Sequence, residues 1–227
     1  MTTLDKILAQ ARQKIESGQS GAALDLFNKV LFLAQKQKNH ERLVQVFVDR
    51  CNAFRHLFEA TGDMSFAILA RKDAEAVLEL VKAWGVSERL HTAYYMLGQA
   101  GLLFKDYAIA ENYFYKSLKY FKGNPAEKAS WRYHWATALY SLGEKKKALL
   151  AFSQAINDIK KYSKITDKFL ANVYLSGAYI HFACALVKDN KPEAKKYFAL
   201  AKEIIKNDKR LVLRKQQLKV LENIFKK

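Results

Sequence analysis

A recurring spacing of small and aromatic residues limits the folds that this chain can adopt. In residues 93–121 the series is Ala110, Phe114 and Ser117, four and three residues apart. That spacing puts the three side chains on one face of an α-helix. Four further series have the same spacing: Ala23, Phe27 and Val30; Ala70, Ala74 and Val77; Ala148, Phe152 and Ala155; Ala194, Phe198 and Ala201. Small residues let helices approach closely while a ring fills the space beside them, so the pattern predicts repeated helix contacts.

A second helix precedes each series. Leu97 and Gly98 lie 12 to 13 residues before Ala110. Equivalent pairs stand before three of the other copies: Asn52 and Ala53, Trp135 and Ala136, Phe182 and Ala183. The repeated unit is therefore a helix hairpin, and about five copies fit the chain.

These hairpins resemble the tetratricopeptide repeat (TPR) family. The spacing between copies exceeds the family's usual 34 residues, at 45 from Ala53 to Gly98, 38 from Gly98 to Ala136 and 47 from Ala136 to Ala183. Longer repeats of this kind are similar to kinesin light chains and to bacterial peptide-sensing regulators. The resemblance implies an all-α, right-handed superhelix that recognises proteins and catalyses no reaction.

Helix caps and breakers predict the boundaries of the elements. The chain has only nine glycines and two prolines, so long helices are expected. The predicted hairpins span about residues 3–37, 39–84, 87–122, 125–162 and 166–206, and a capping helix follows at 208–226. We expect one cooperative domain, residues 1–227, because each hairpin buries its apolar face only against its neighbours.

The sequence lacks the motifs of several functional classes. It has no nucleotide-binding glycine motif, no H-E-x-x-H and no G-x-S-x-G. Its five histidines form no i,i+4 pair, so we expect no catalytic site, metal or cofactor. We also expect no membrane-spanning helix and no secretion signal. Cys51 and Cys184 are predicted to be reduced, in a cytoplasmic protein.

The resemblance implies a peptide-binding groove along the first helix of each hairpin. The residues expected to line it are Arg50, Phe54, Tyr95, Gln99, Tyr133, His134, Thr137 and His181. Alternatively, the tyrosines complete the core between hairpins. The set is aromatic and neutral, with Arg50 as its one obvious cation, unlike the Lys/Asn carboxylate clamp of some family members. We therefore expect the groove to bind an apolar or amphipathic protein or peptide segment, while the positive charge described next allows an acidic partner.

Positive charge is concentrated in the C-terminal half. The formal net charge is +17, of which residues 1–124 contribute +4 and residues 125–227 contribute +13. A candidate anion-binding strip consists of Lys195, Lys196, Lys202, Lys206, Lys209 and Arg210. It could attract an acidic protein or an RNA backbone, or it could only keep the protein soluble. Electrostatic RNA binding is the alternative function, self-association a third, and the oligomeric state is not predicted.

Overall fold

The computed structural model describes residues 2–226, which form α-helices, two short 3-10 helices and no strand. The helices are α1 (Thr3–Glu16), α2 (Ser20–Lys36), α3 (His40–Thr61), α4 (Met64–Ala83), α5 (Leu90–Leu103), α6 (Tyr107–Tyr120), α7 (Pro125–Ser141), α8 (Lys145–Tyr162), α9 (Lys168–Leu186), α10 (Lys191–Asn207) and α11 (Val212–Lys226). The 3-10 helices are Ser87–Arg89 and Ser163–Ile165. The all-α prediction is confirmed.

Polar residues at the helix starts explain most boundaries. Six helices begin after a residue whose side chain accepts a hydrogen bond from a backbone N–H of the first turn: Thr2, Asn39, Asp63, Asn124, Asp167 and Asn190. Such caps satisfy N–H groups that have no partner inside the helix. The strongest sequence signal, Asn124 followed by Pro125, does start α7.

The predicted start of the last helix, at residue 208, is wrong. The helix begins at Val212. Asp208 instead forms a local turn, in which its carboxylate accepts hydrogen bonds from the backbone N–H and the guanidinium of Arg210. The Asn172 side chain of α9 also donates to it. These bonds hold Asp208 at the end of α10 and delay the next helix.

The chain divides into two compact units, residues 1–120 (unit 1) and 121–227 (unit 2). Unit 1 contains the hairpins α1–α2, α3–α4 and α5–α6. The predicted packing positions are its core, with Phe27, Val77 and Phe114 fully buried. The α5–α6 hairpin is especially close, since a Cβ built on Gly101 would lie 2.9 Å from the backbone nitrogen of Ala110.

Ion pairs between arginines and buried carboxylates join the helices of unit 1. Arg12 of α1 pairs with Asp49 of α3, and Arg50 of α3 forms two bonds of 2.9 and 3.0 Å to Asp73 of α4. Burial raises the pKa of Asp49, and it raises the pKa of Asp73 to about 6 against the attraction of Arg50. A buried carboxylate without its arginine would be costly, so these pairs fix how the helices face each other.

Unit 2 contains the hairpins α7–α8 and α9–α10 together with α11. Phe152 of α8 is fully buried and stacks on Phe182 of α9, with ring centroids 4.6 Å apart. Helix α11 packs against α9 and α10 and buries Leu218 and Leu221 in the same core. The last hairpin therefore has its apolar face covered, which repeat arrays require for solubility.

Helix α9 is long and apolar enough to cross a membrane by length and composition alone. The sequence analysis expected no such segment. Residues 169–186 carry no Asp, Glu, Lys or Arg, although the helix begins with Lys168. Half of its apolar stretch is buried inside the structure, as in the core helix of a soluble protein, so a span has only weak support.

Candidate functional site

Two parallel stripes of side chains on α7 and α9 form the best-defined candidate site, which we call the α7–α9 surface. Its members are Tyr133, Thr137 and Tyr140 of α7 and Gly177, His181 and Cys184 of α9. On each helix they are spaced four and three residues apart, so each stripe follows one face for about 10 Å. Thr137, Tyr140 and His181 are partly exposed and Cys184 is exposed.

Rings and hydroxyls join the two stripes at their centre. The ring centroids of Tyr133 and His181 are 5.0 Å apart, and those of His134 and His181 are 4.7 Å apart. The Thr137 hydroxyl donates to the Tyr133 carbonyl oxygen and lies 3.1 Å from Nδ1 of His181. The surface thus has an aromatic floor with polar groups above it.

The structure places the predicted groove residues of unit 2 together but at different depths. Tyr133 is 2% exposed and His134 is 7% exposed, so both rings belong to the core. Thr137 and His181 remain accessible beside them. Truncating Tyr133 would therefore disturb packing as well as any ligand contact, which makes it unsuitable for testing binding.

A close approach at Gly177 defines one end of the α7–α9 surface. A Cβ on Gly177 would lie 2.6 Å from the Tyr133 hydroxyl and 2.9 Å from Nη2 of Arg214. Any larger residue would collide with both groups. Glycine therefore lets the guanidinium of Arg214, from α11, lie against α9 with Nη2 3.5 Å from the Tyr133 hydroxyl.

At the end of the α7–α9 surface opposite Gly177, the carboxylate of Asp189 is already paired with a lysine. Asp189, just after α9, accepts a hydrogen bond from the Tyr140 hydroxyl and lies 2.8 Å from Nζ of Lys145. The bonds from Lys145 and Tyr140 hold the pKa of Asp189 below its usual range. Desolvation, and then the nearby Asp189, raise the pKa of Tyr140 to about 12, so its hydroxyl is a donor at neutral pH.

The predicted groove residues of unit 1 already contact other residues of unit 1. Arg50 pairs with Asp73, and its guanidinium lies 5.7 Å from the ring of Phe54. Gln99 is buried and donates to the Tyr95 hydroxyl over 2.6 Å. Arg50 thus connects α3 to α4 through an ion pair, and it is also a candidate groove cation.

The predicted anion-binding strip is exposed, and half of it already faces carboxylates. Lys196 lies 3.5 Å from Glu193, Lys202 lies 3.8 Å from Glu222, and Arg210 pairs with Asp208. Within the described residues the other three members, Lys195, Lys206 and Lys209, have no carboxylate within 4 Å. Lys195, Lys202 and Lys206 share one face of α10 because they are spaced seven and four residues apart.

Arg214 and Gly177 are functional candidates that sequence reasoning missed. The sequence shows α11 as a helix with a basic side, but it does not show which neighbouring helix that side touches. An interior glycine in an apolar helix such as α9 was the one available signal, since it often marks a close approach. Between residues 2 and 226 the structure contains no cluster of His, Cys, Asp and Glu that could hold a metal ion.

Comparisons with solved structures identify the fold. A Rap protein complexed with competence and sporulation factor has a TM-score of 0.64 and 15% identity, over 99% of this chain and 65% of that chain. A kinesin light chain-type protein of Podosopora anserina with nearly identical TPR-like repeats has a TM-score of 0.59 and 16% identity, over 91% and 96%. BtubC (BKLC) from P. vanneervenii has a TM-score of 0.51 and 16% identity, over 90% and 91%.

No protein-family model matches the sequence, and no curated protein matches it. The sequence identity to these solved structures is below 25%, so the similarity is evidence for the fold alone. It agrees with the helix hairpins, the buried small–aromatic series and the covering helix α11. The resemblance inferred from the sequence is confirmed: this chain has the fold of the TPR-type repeat proteins.

Proposed function

We propose that the chain is a non-catalytic protein-interaction module and that unit 2 binds a peptide segment on the α7–α9 surface. The observation that carries the proposal is the pair of stripes, in which accessible polar groups stand over the rings of Tyr133 and His134. Ligand sites commonly combine an apolar or aromatic floor with a few polar groups that fix orientation. TPR-type folds generally act as scaffolds, and one similar structure was solved in complex with a factor.

The geometry suits a segment that runs along the helices. Thr137 and His181 offer hydrogen-bonding groups at the centre, while Tyr140 is partly exposed near one end. An amphipathic helix could place side chains at i, i+3 and i+4 over these stripes, and an extended segment could follow the same line. The rigid floor would lower the entropy cost of binding.

The exposed side chain of Cys184 allows a direct test, with labelling at alkaline pH because desolvation raises the pKa of its thiol to about 11. Peptides selected from a random display library on the folded protein should lose at least about tenfold in affinity when a bulky maleimide caps Cys184, because the adduct covers the surface. The matched control is methyl methanethiosulfonate, which converts the thiol into a small methyl disulfide (Cys–S–S–CH3) and releases methanesulfinate, and which should have a much smaller effect. Cys51 is buried, so mass spectrometry should show a single adduct.

Fluorescence polarisation measures the affinities, and circular dichroism confirms that the capped protein remains folded. Unchanged affinity after complete capping with the bulky reagent would place recognition away from the α7–α9 surface.

A second candidate function is electrostatic binding of an RNA backbone by the α10 strip. It rests on Lys195, Lys206 and Lys209, which have no carboxylate within 4 Å among the described residues, and on the net charge of the C-terminal half. The strip has few aromatic residues, so stacking of single-stranded bases has little support.

Charge reversal tests this strip. Changing Lys195, Lys196, Lys202 and Lys206 to Glu alters the net charge by about eight units. If the strip binds RNA, retardation of a labelled RNA at about 50 mM salt should disappear while the melting temperature shifts little. Four exposed lysines of unit 1, changed to Glu in the same way, give the matched control: Lys6, Lys29, Lys36 and Lys119. Equal effects of the two sets would show only a response to net charge.

A further inference from the structure

Arg214 is exceptional among the arginines of this chain. Eight of the nine arginines lie within 4 Å of a carboxylate: Arg12, Arg42, Arg50, Arg55, Arg71, Arg89, Arg132 and Arg210. Within residues 2–226 Arg214 has none. Its guanidinium instead bonds neutral groups, with Nη1 2.7 Å from Oε1 of Gln217 and Nη2 3.5 Å from the Tyr133 hydroxyl.

The position of this guanidinium is built by three helices. Arg214 comes from α11, the hydroxyl beside it comes from α7, and Gly177 of α9 lies directly beneath. A Cβ on Gly177 would be 3.0 Å from the central guanidinium carbon, so α9 allows this placement only with glycine. The guanidinium of Arg214 is therefore a half-buried cation at the end of the α7–α9 surface, and its hydrogen bonds keep it in position.

A planar guanidinium without a counter-charge is suited to a carboxylate. Arginine binds carboxylates through two parallel N–H···O bonds, which are stronger than bonds between neutral groups. The buried Tyr133 hydroxyl accepts from Nη2 of Arg214 over 3.5 Å and so helps to orient the guanidinium. Partial burial strengthens such contacts compared with those of exposed lysines.

We propose that Arg214 binds a side-chain carboxylate of an acidic peptide segment lying on the α7–α9 surface. This inference rests on the proposed function and assigns the chemistry of its partner. The positive electrostatic field of unit 2 supports an acidic segment, because residues 121–227 contain 23 Lys and Arg against nine Asp and Glu. Such a field favours a segment with several acidic side chains over one that offers a single terminal carboxylate.

The two ends of the surface also give the segment a direction. Arg214 needs a counter-charge at one end, while Asp189 at the other end is already paired with Lys145. An acidic residue should therefore lie at the Arg214 end, with uncharged or apolar residues over Thr137 and His181. A bound acidic residue would thus contact α11, in addition to the contacts that the segment makes with α7 and α9.

The test uses the full-length protein and peptides from a random linear display library, selected on it. Selected peptides should share an Asp or Glu at one fixed position. Arg214→Gln should weaken the binding of such a peptide by about 10- to 100-fold, the value of a charged hydrogen-bonded pair. Lys215→Gln removes the same charge from the next, exposed residue of α11 and should change affinity by less than about threefold.

A double-mutant cycle isolates the contact. A peptide with Gln in place of its fixed Glu should bind the original protein weakly and should be insensitive to Arg214→Gln. Arg214→Lys keeps the charge but loses the planar fork, so it should restore only part of the affinity. If Arg214→Gln loosens unit 2, the peptide change still tests the same contact on the intact protein.

Three outcomes would overturn the inference: selected peptides with no fixed acidic position, equal losses for Arg214→Gln and Lys215→Gln, or loss of binding when the peptide C-terminus is amidated. The last would assign the site to a terminal carboxylate. Binding that is blocked at Cys184 but independent of Arg214 would leave the proposed function standing and reject only this inference. Binding unaffected by the Cys184 cap would reject the proposed function itself.

Discussion

Replacing Phe152 with alanine is expected to lower the free energy of unfolding by about 3–5 kcal/mol. The ring is fully buried on α8, and it stacks on Phe182 with an angle of 8° between the ring planes. Alanine would leave a cavity inside the core, on a helix face where Ala148 and Ala155 are also fully buried. Chemical denaturation followed by circular dichroism measures the change.

Leu150 of the same helix provides the control for Phe152. Its side chain is 60% exposed, so Leu150→Ala should change stability by no more than about 0.5 kcal/mol. Similar losses for Phe152→Ala and Leu150→Ala would mean that the small–aromatic series does not mark the core.

Gly101→Ala is expected to destabilise unit 1 by about 1–3 kcal/mol, although alanine is the better helix former. The added Cβ would lie 2.9 Å from the nitrogen and 3.0 Å from the Cα of Ala110. Both are backbone atoms of α6, so relief requires the two helices to separate. Chemical denaturation of the variant and the original protein measures the loss.

Gly21→Ala is the matched control, because a Cβ on Gly21 of α2 meets nothing within 4 Å. It should cost nothing and could add up to about 1 kcal/mol. The two identical substitutions should therefore have opposite signs. A Gly101→Ala protein as stable as the Gly21→Ala protein would contradict the close contact between α5 and α6.

The features of the fold that depend on local sequence were predictable. The series around Phe27, Phe114 and Phe152 indicated buried faces, and all three rings have no exposed surface. Asn124 and Pro125 fixed the start of α7 through local capping. The start of α11 was not predictable in this way, since Asp208 is held by Asn172, which is 36 residues away in the chain.

The candidate site was predictable only in part, because side-chain direction depends on tertiary neighbours. Thr137 and His181 were predicted and do lie together. Spacing alone could not separate them from Tyr133, which is one helical turn away and buried. Nor could it show that Arg50 turns towards Asp73, or that Arg214 lies over Gly177, since each contact joins residues far apart in sequence.

The arginines and lysines of this protein have separate physical tasks. Five of the described ion pairs that join different elements use arginine, and they connect Arg12, Arg42, Arg50, Arg89 and Arg132 to acids elsewhere. Lysines mostly remain at the surface or pair within one turn of a helix, with Lys145–Asp189 and Lys202–Glu222 as exceptions. Acetylating many lysines should therefore change the isoelectric point greatly while leaving most clamps between helices in place, so surface charge can be adjusted almost independently of architecture.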